Sequence, residues 1–407
     1  MKFLYTSLFI YLLACLSLSA QEKAKAFGIK FKGFVNYEMI YDSRQVVAAR
    51  DGNVLLYPSP VNEDPNGQDL NAVSQFNAFA ITTRLQGVIS GPDALGAKTS
   101  GMISGDFFGT ANDKIGLFRL RQAFVKLSWE NSDLLVGKAW HPLFVTEVFP
   151  KVLSFGAGIP IYPLSRAPQL SYTLKGKQLS MTLAVSAQQD FAALGPNGRS
   201  PSYLMNTGLP ELNTRLVYKT DRLLMGAAAG FWKLKPQLET ATGFQTKETV
   251  NGWLLNSFAK LSLKNTTFRG GYLYGSNMSQ FLMFGGYGVS EVEEPTQIEK
   301  YRPTTASSLW ADLDFKKGAI SMGIFGGYTQ NHGADQEMAG AVYAMGANID
   351  HYLRVAPRIA YTSGKVRIGL EAIYHVAAYG TPDERYQVVD TNDVDALRIL
   401  SSVVYSF

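Results

Sequence analysis

The chain has 407 residues, a formal net charge of +5 and a charged fraction of 17%, which is well below the about 25% of a typical soluble domain. It contains a single cysteine, and no apolar run of about 18 residues follows its first twenty residues, so a disulfide scaffold and a helical membrane protein are excluded. Basic residues outnumber acidic ones, but the chain has no Lys/Arg run and no RNA-binding motif, so nucleic acid is excluded as a partner.

The N-terminus predicts an exported protein. A basic residue precedes the apolar stretch Phe3–Leu18, and Ser19-Ala20 forms a small-residue cleavage site. We therefore predict a signal peptide over residues 1–20 and a mature chain, residues 21–407, with 37 basic and 33 acidic residues, a net charge of +4 and no cysteine. Thiolate catalysis and cysteine-ligated metals are then excluded. The alternative interpretation is a lipoprotein box that would make Cys15 the acylated first residue.

Ile29–Tyr41 predicts the opening strand of a β-barrel, and pairs of similar segments follow along the chain. The two members of each pair are separated by a short turn rich in Gly, Asn and Asp, which tolerate the positive φ of tight hairpins. The predicted pairs are Phe79–Ile89 with Thr99–Phe107, Leu117–Trp129 with Leu134–Trp140, Leu170–Leu174 with Leu179–Val185, Leu212–Tyr218 with Leu223–Phe231, Trp253–Leu263 with Phe268–Tyr274, Leu309–Phe315 with Ile320–Tyr328, and Ile359–Ser363 with Val366–Tyr374.

Longer polar connections join these pairs, at residues 43–74, 146–168, 189–210, 277–305 and 332–349. Short turns at one end and long loops at the other are typical of bacterial outer-membrane barrels. We therefore predict an all-β fold, a closed antiparallel transmembrane barrel of about sixteen strands that forms one domain in the outer membrane.

The C-terminal strand shows the alternation most clearly. Leu397, Val403 and Tyr405 share an apolar face, whereas Arg398 and Ser402 lie on the other face. The chain ends in Phe, preceded two residues earlier by Tyr, which is similar to the terminal pattern that the outer-membrane assembly machinery recognises. Two features fit the alternation poorly. Pro357 would remove a ladder hydrogen bond, and Leu117–Trp129 has apolar residues on both faces, which leaves its register open.

The alternation turns many arginines toward the lumen. An arginine that faced lipid near the membrane midplane would cost about 2–4 kcal/mol. Fewer acids share the inner face, and the main ones are Asp106, Asp312, Asp314 and Glu371. We predict an anion-preferring pore for small anionic solutes such as carboxylates or phosphates. The alternative is a weakly selective pore in which these arginines pair with the acids. The predicted inward arginines are Arg84, Arg119, Arg121, Arg215, Arg269, Arg354, Arg358, Arg367 and Arg398.

The loop at 146–168, after the fifth predicted strand, is expected to fold inward and narrow the channel. It is apolar and rich in proline and glycine, as in Phe155–Pro160, which favours a fixed loop. Lys151 and Arg166 would then line the constriction. The alternative is that this loop packs against another subunit.

Three closely spaced segments carry a family resemblance: Ser104-Gly105-Asp106-Phe107-Phe108-Gly109, Phe118-Arg119-Leu120-Arg121-Gln122-Ala123-Phe124 and Leu135-Val136-Gly137-Lys138-Ala139-Trp140. Their order resembles the DcaP-like porins of Gram-negative bacteria. The resemblance implies a homotrimer of diffusion channels, each of about sixteen strands, that favours negatively charged small molecules.

Other chemistry is poorly supported. No G-x-S-x-G elbow is present, and His141, His332, His351 and His375 lack metal-ligand spacing, so we predict neither an enzyme nor a cofactor. The long loops concentrate acids, which we expect to face water and to be bridged by divalent ions to lipopolysaccharide, while outer-membrane lipid contacts the barrel wall. The alternative function is a non-channel barrel that acts as an adhesin or surface anchor.

Overall fold

The computed structural model describes residues 27–407, and its main feature is a closed barrel of sixteen antiparallel strands. β1 pairs with both β2 and β16, and its contact with β16 runs from Phe34 opposite Ser406 to Asp42 opposite Arg398. The predicted all-β barrel is therefore confirmed, whereas the predicted signal peptide lies outside the described residues. The strands are β1 (Gly28–Asp42), β2 in two pieces (Gln75–Phe79 and Arg84–Ser90), β3 (Lys98–Asp106), β4 (Arg119–Ser128), β5 (Ser132–Trp140), β6 (Arg166–Lys175), β7 (Leu179–Ser186), β8 (Glu211–Lys219), β9 (Leu223–Leu234), β10 (Val250–Ser262), β11 (Thr266–Ser276), β12 (Ile298–Lys317), β13 (Ile320–Ala334), β14 (Ile349–Ser363), β15 (Val366–Pro382) and β16 (Val388–Ser406).

The two faces of each strand meet different surroundings, as β16 shows. Arg398, Leu400 and Ser402 are buried inside the barrel, while Leu397 and Tyr405 are exposed on the outside. Exposed apolar side chains recur on the outer face of the other strands, as a lipid-facing surface requires. The predicted assignment of inner and outer faces in this strand is correct.

Helical structure is scarce in the described part of the chain. Its elements are single turns at Asn112–Lys114, Ser202–Met205 and Ser279–Phe281. Within residues 27–407, no helix combines the length and the apolar character needed to cross a membrane.

Several strands differ from the prediction in extent. β14, for example, starts at Ile349 and not at Ile359, while the differences in β2 and β12 have identifiable causes. β2 is broken between Phe79 and Arg84, because Thr82 and Thr83 accept hydrogen bonds from Asn36 of β1 and so replace the backbone ladder there. β12 starts at Ile298, well before the predicted Leu309, and its early part pairs with a loop strand, Gly285–Glu293. This extension stands beyond the apolar belt, where an apolar outer face is no longer required, so alternating hydrophobicity could not reveal it.

β4 contains a β-bulge at Arg121, which fixes the register that the sequence left open. Gln122 and Leu120 pair with consecutive residues of β3, so Arg121 has no partner of its own. Arg121 and Gln122 are both buried. Because a bulge redirects side chains, Arg119, Arg121 and Gln122 all face the interior, which strict alternation could not produce.

Pro357 is accommodated at a gap in the ladder. Its ring is exposed on the outer face of β14, where it pairs with Ile324 of β13. On the other edge of β14, the pairing with β15 skips Ala356 and Pro357. The missing N–H therefore lies where no ladder bond is formed.

The connection between β5 and β6, residues 141–165, lies inside the barrel, and we call it the inward segment. The Leu143 carbonyl accepts a 3.0 Å hydrogen bond from the Asn256 side chain of β10. Tyr162 packs edge-on against Trp310 of β12, with ring centroids 5.1 Å apart. The Leu153 N–H donates a 2.6 Å hydrogen bond to Glu371 of β15. The segment is thus held against the far wall, strands β10 to β15.

The long loops form an apolar core at the end of the barrel where they meet, which we call the long-loop end. Phe281 and Phe284 are almost fully buried there and contact Trp232 of β9 and Tyr352 of β14. A hairpin, Val46–Ala49 with Val54–Pro58, packs into the same region. The opposite end, with the tight turns, is the short-turn end.

The closing seam carries a buried ion pair that should control barrel stability. Arg398 Nε lies 2.7 Å from Asp42 Oδ1 across the β1–β16 seam, and both side chains are nearly inaccessible. Removing one partner of a buried pair typically costs about 3–5 kcal/mol. We expect Arg398→Ala to lower the free energy of unfolding, measured by urea titration in detergent micelles, by about that amount. Arg385→Ala, at an exposed loop position, is the control, and equal values for both variants would contradict the role of the seam.

Candidate functional site

The predicted pore-lining arginines all lie on the inside of the barrel, but they fall into two groups. One group pairs with acids on the far wall or at the closing seam, and the other lines open cavities. The first group is Arg269, Arg354, Arg358 and Arg398, and the second group is Arg84, Arg119, Arg121, Arg215 and Arg367, with Arg166 buried behind the cavity surface.

Arg269 and Arg358 belong to a four-membered ion-pair network. Each guanidinium lies 3.0 Å from a carboxylate oxygen of Asp312, and each also contacts Asp314. All four side chains project from neighbouring strands β11 to β14. The network neutralises both arginines, so they add little net charge to the lumen.

Arg354 holds the inward segment in place. Its Nη2 donates a 2.6 Å hydrogen bond to the Ser154 hydroxyl and lies 3.6 Å from Glu371 Oε1. Glu371 in turn accepts hydrogen bonds from the Leu153 and Ser154 N–H groups. Arg398, paired with Asp42, likewise has a fixed partner. These four arginines are therefore paired with acids, as the alternative drawn from the sequence expects, and they serve the packing of the segment and the seam.

Open space lies on the other side of the inward segment, against β1 to β5. At the short-turn end, a cavity of about 550 Å³ is bounded by the inward segment, β1, β2, β4 and the β14–β15 turn. Four basic side chains and one carboxylate, Glu38, belong to its lining. The basic residues are Arg84, Arg121, Lys365 and Arg367. Solutes in this cavity therefore meet an excess of positive charge.

A second cavity, of about 560 Å³, opens at the long-loop end. It also has four basic side chains and one carboxylate, Asp190, in its lining. The basic residues are Arg50, Arg119, Lys138 and Arg199. Burial and the nearby charge of Arg119 lower the pKa of the Arg50 guanidinium, yet an arginine stays protonated near neutral pH.

The two cavities meet at Phe155 and Leu164 of the inward segment, which line both of them. Asp106 is fully buried in the barrel wall and bridges Arg119 of the long-loop cavity and Arg121 of the short-turn cavity. Its Oδ1 lies 2.8 Å from Arg119 Nε, and its Oδ2 lies 2.6 Å from Arg121 Nη1. One carboxylate shared by two guanidinium groups leaves a net positive charge beside the residues that the two cavities share.

The remaining predicted residues lie apart from this junction. Arg215 lines a third cavity of about 490 Å³, bounded by β4 to β9 and the start of the inward segment, where it donates a 3.4 Å hydrogen bond to the Pro142 carbonyl. Lys151 is exposed, and its ammonium lies 3.7 Å from the centre of the Phe149 ring. Arg166 is treated below, because it is buried beside the long-loop cavity.

Sequence reasoning missed several residues of the cavities, and the reasons differ. Arg50, Arg199 and Asp190 lie in long loops, whose path no periodicity predicts. Lys138 lies on a strand, but Gly137 before it has φ +129, an angle that L-residues avoid, and the alternation changes there. A glycine inside a strand was the available signal for this change. Among the described residues, no group of three or more His, Cys, Asp or Glu side chains could hold a metal ion.

Comparisons with known proteins show what this fold resembles. No protein-family model and no curated protein matches the sequence. The outer-membrane channel DcaP of Acinetobacter baumannii superposes with a TM-score of 0.68 at 16% identity, over 96% of this chain and 100% of that one. An anion-selective porin from Comamonas acidovorans gives 0.57 at 9% identity, over 94% and 100% of the two chains. The outer-membrane protein OmpT of Vibrio cholerae, in its trimer form, gives 0.57 at 11% identity, over 94% and 100%.

These likenesses establish the fold. The chain has the architecture of the outer-membrane porins, which cross the membrane many times as a closed barrel. The resemblance to DcaP-like porins predicted from the sequence is confirmed at the level of fold.

Proposed function

Because the chain has the fold of outer-membrane porins, we propose that it is a passive, non-enzymatic diffusion channel for small hydrophilic solutes, preferentially anionic ones. The observation that carries this proposal is the pair of basic cavities that share Phe155 and Leu164 of the inward segment. Each cavity has four basic side chains and one carboxylate in its lining. A narrow, partly desolvated passage with this balance attracts anions and repels cations.

The inward segment gives the passage its two unlike sides. Phe144, Phe155 and Leu164 line the segment side, while Arg84, Arg119 and Arg121 lie on the side of the barrel wall. An anionic solute would travel along the guanidinium groups with its apolar part toward the phenylalanines. A guanidinium fork accepts carboxylate and phosphate groups alike, so both classes are proposed solutes.

We propose that the barrel assembles as a homotrimer with lipid around it, and that divalent ions bridge its acidic long loops to lipopolysaccharide. A groove of about 440 Å³ on the outer face of β2 to β5 supports the trimer. The small residues Gly101 and Ala123 form the floor of this groove, and Ile103 and Val125 give it an apolar surface. A neighbouring subunit could pack closely against such a surface. Single-channel records in a planar bilayer should then show closure in three equal steps. A single closing step would contradict the trimer.

Solute uptake tests the transport proposal directly. Proteoliposomes should take up gluconate faster than glucose, because the two solutes are similar in size and differ in charge. Protein-free vesicles and vesicles holding heat-unfolded protein are the controls. Uptake of neither solute by correctly folded protein would overturn the channel and favour a surface anchor or adhesin.

A further inference from the structure

Arg166 is a fully buried cation whose guanidinium nitrogens find no hydrogen-bond acceptor in the protein. Its relative exposure is 1%, and Nε, Nη1 and Nη2 are all without a hydrogen-bond partner. Leaving donors of a buried charged group unsatisfied is costly. A hydrogen-bond acceptor that is not part of the protein would therefore stabilise the Arg166 guanidinium.

Two aromatic rings and one loop carboxylate lie next to the Arg166 guanidinium. Trp140 and Phe191 face the guanidinium carbon at 5.2 and 4.9 Å from their ring centres. Asp190 Oδ2 lies 3.8 Å from Arg166 Nη2, too far for a hydrogen bond. The other oxygen of Asp190 accepts a 2.5 Å hydrogen bond from Lys138.

Asp190 is also the carboxylate in the lining of the long-loop cavity, and its side chain is 27% exposed. It comes from the loop between β7 and β8, whereas Lys138 and Arg166 come from the ends of β5 and β6. Asp190 and Phe191 thus separate the open cavity from Arg166. A carboxylate held by a loop can move more readily than the strand-borne cations that it faces.

We infer that Asp190 is a resident counter-ion that an anionic solute displaces from Lys138 and Arg166. This inference rests on the proposed function and describes how the same passage is regulated. The solute's carboxylate or phosphate replaces the Asp190 carboxylate on Lys138 and gains the unsatisfied donors of Arg166. When the solute leaves, Asp190 returns.

Such an exchange keeps binding weak although the site contains strong donors. One carboxylate replaces another on Lys138, so the net gain in free energy comes only from the added charge-assisted hydrogen bonds to Arg166. A channel needs a site that is favourable enough to enter and weak enough to leave. Without its resident carboxylate, the same site should retain an anion longer.

The test uses the full-length folded channel in a planar bilayer, with inorganic phosphate as a blocker of the chloride current. Asp190→Asn should lower the apparent dissociation constant of phosphate by about fivefold, which is the effect of roughly 1 kcal/mol. Asp190→Glu, which keeps the charge, should stay close to the unmodified protein. Asp113→Asn makes the same charge change at an exposed loop residue and should have little effect.

Three outcomes would overturn the inference. The first two are a phosphate affinity in Asp190→Asn that is unchanged or weaker than in the unmodified protein. The third is a gain in phosphate affinity in Asp113→Asn equal to that in Asp190→Asn, which would reveal a general effect of charge. A different result would contradict the proposed function: the unmodified protein would conduct no anions at all. A channel that prefers anions but binds phosphate equally with and without the Asp190 carboxylate would contradict only this inference.

Discussion

Replacing both Arg84 and Arg367 by glutamate should convert the channel from anion-preferring to cation-preferring. Both residues line the short-turn cavity, and within residues 27–407 neither takes part in a salt bridge, so their charge acts on the solute. The substitution changes the lining from four basic groups and one carboxylate to two basic groups and three carboxylates. Because narrow clefts focus the field of their charges, we expect the ratio of chloride to potassium permeability to fall roughly tenfold.

The reversal potential across a potassium chloride gradient measures this change. The matched control is the pair Arg222→Glu and Arg385→Glu, which makes the same change in net charge at exposed turn and loop positions. Its effect should be small, because exposed charges more than about 10 Å away are screened by salt. A double variant of Arg84 and Arg367 that keeps the original permeability ratio would remove the short-turn cavity from the permeation path.

Removing the Glu371 carboxylate should release the inward segment and widen the channel. Glu371 accepts the N–H groups of Leu153 and Ser154 and lies 3.6 Å from Arg354, and its exposure is 0%. In Glu371→Ala, the buried Arg354 loses its carboxylate, a change that typically costs about 3–5 kcal/mol. The segment can relieve this cost by leaving the wall. We expect a higher and noisier single-channel conductance.

Two further variants show whether the effect comes from the contact between Glu371 and the inward segment. Glu371→Gln keeps one acceptor oxygen and should give an intermediate conductance, while Glu337→Ala, at an exposed loop site, should behave like the unmodified protein. Circular dichroism of each variant checks that the barrel is intact. A conductance in Glu371→Ala equal to the unmodified value, with an intact barrel, would show that the inward segment does not depend on this carboxylate.

The barrel itself could be predicted because lipid imposes a simple pattern on its strands. The turn between Ser363 and Val366 lies where the sequence placed it, and the outer face of β16 carries Leu397 and Tyr405 as expected. Alternation carries this information only within the apolar belt. It therefore failed at the early part of β12, which extends beyond the belt.

The partners of the inward side chains could not be predicted, because they depend on contacts between distant strands and loops. Alternation turns both Arg84 and Arg358 inward, but it does not show that Arg358 meets Asp312 while Arg84 faces a cavity. The bulge at Arg121 shifts the register by one residue, which changes the face that each later side chain of β4 occupies. At Gly137 the register is kept, but the positive φ redirects the chain so that Lys138 and Ala139 are both buried. Asp190 lies in a loop, and its contact with Lys138 spans 52 residues.

The sign of the reversal potential of the unmodified protein tests the central claim most directly. The folded protein is inserted into a planar bilayer with concentrated potassium chloride on one side and dilute potassium chloride on the other. The basic linings of the two cavities predict a potential of the sign set by chloride diffusion. A potential of the sign set by potassium, or none, would contradict an anion-preferring passage along Arg84, Arg119 and Arg121.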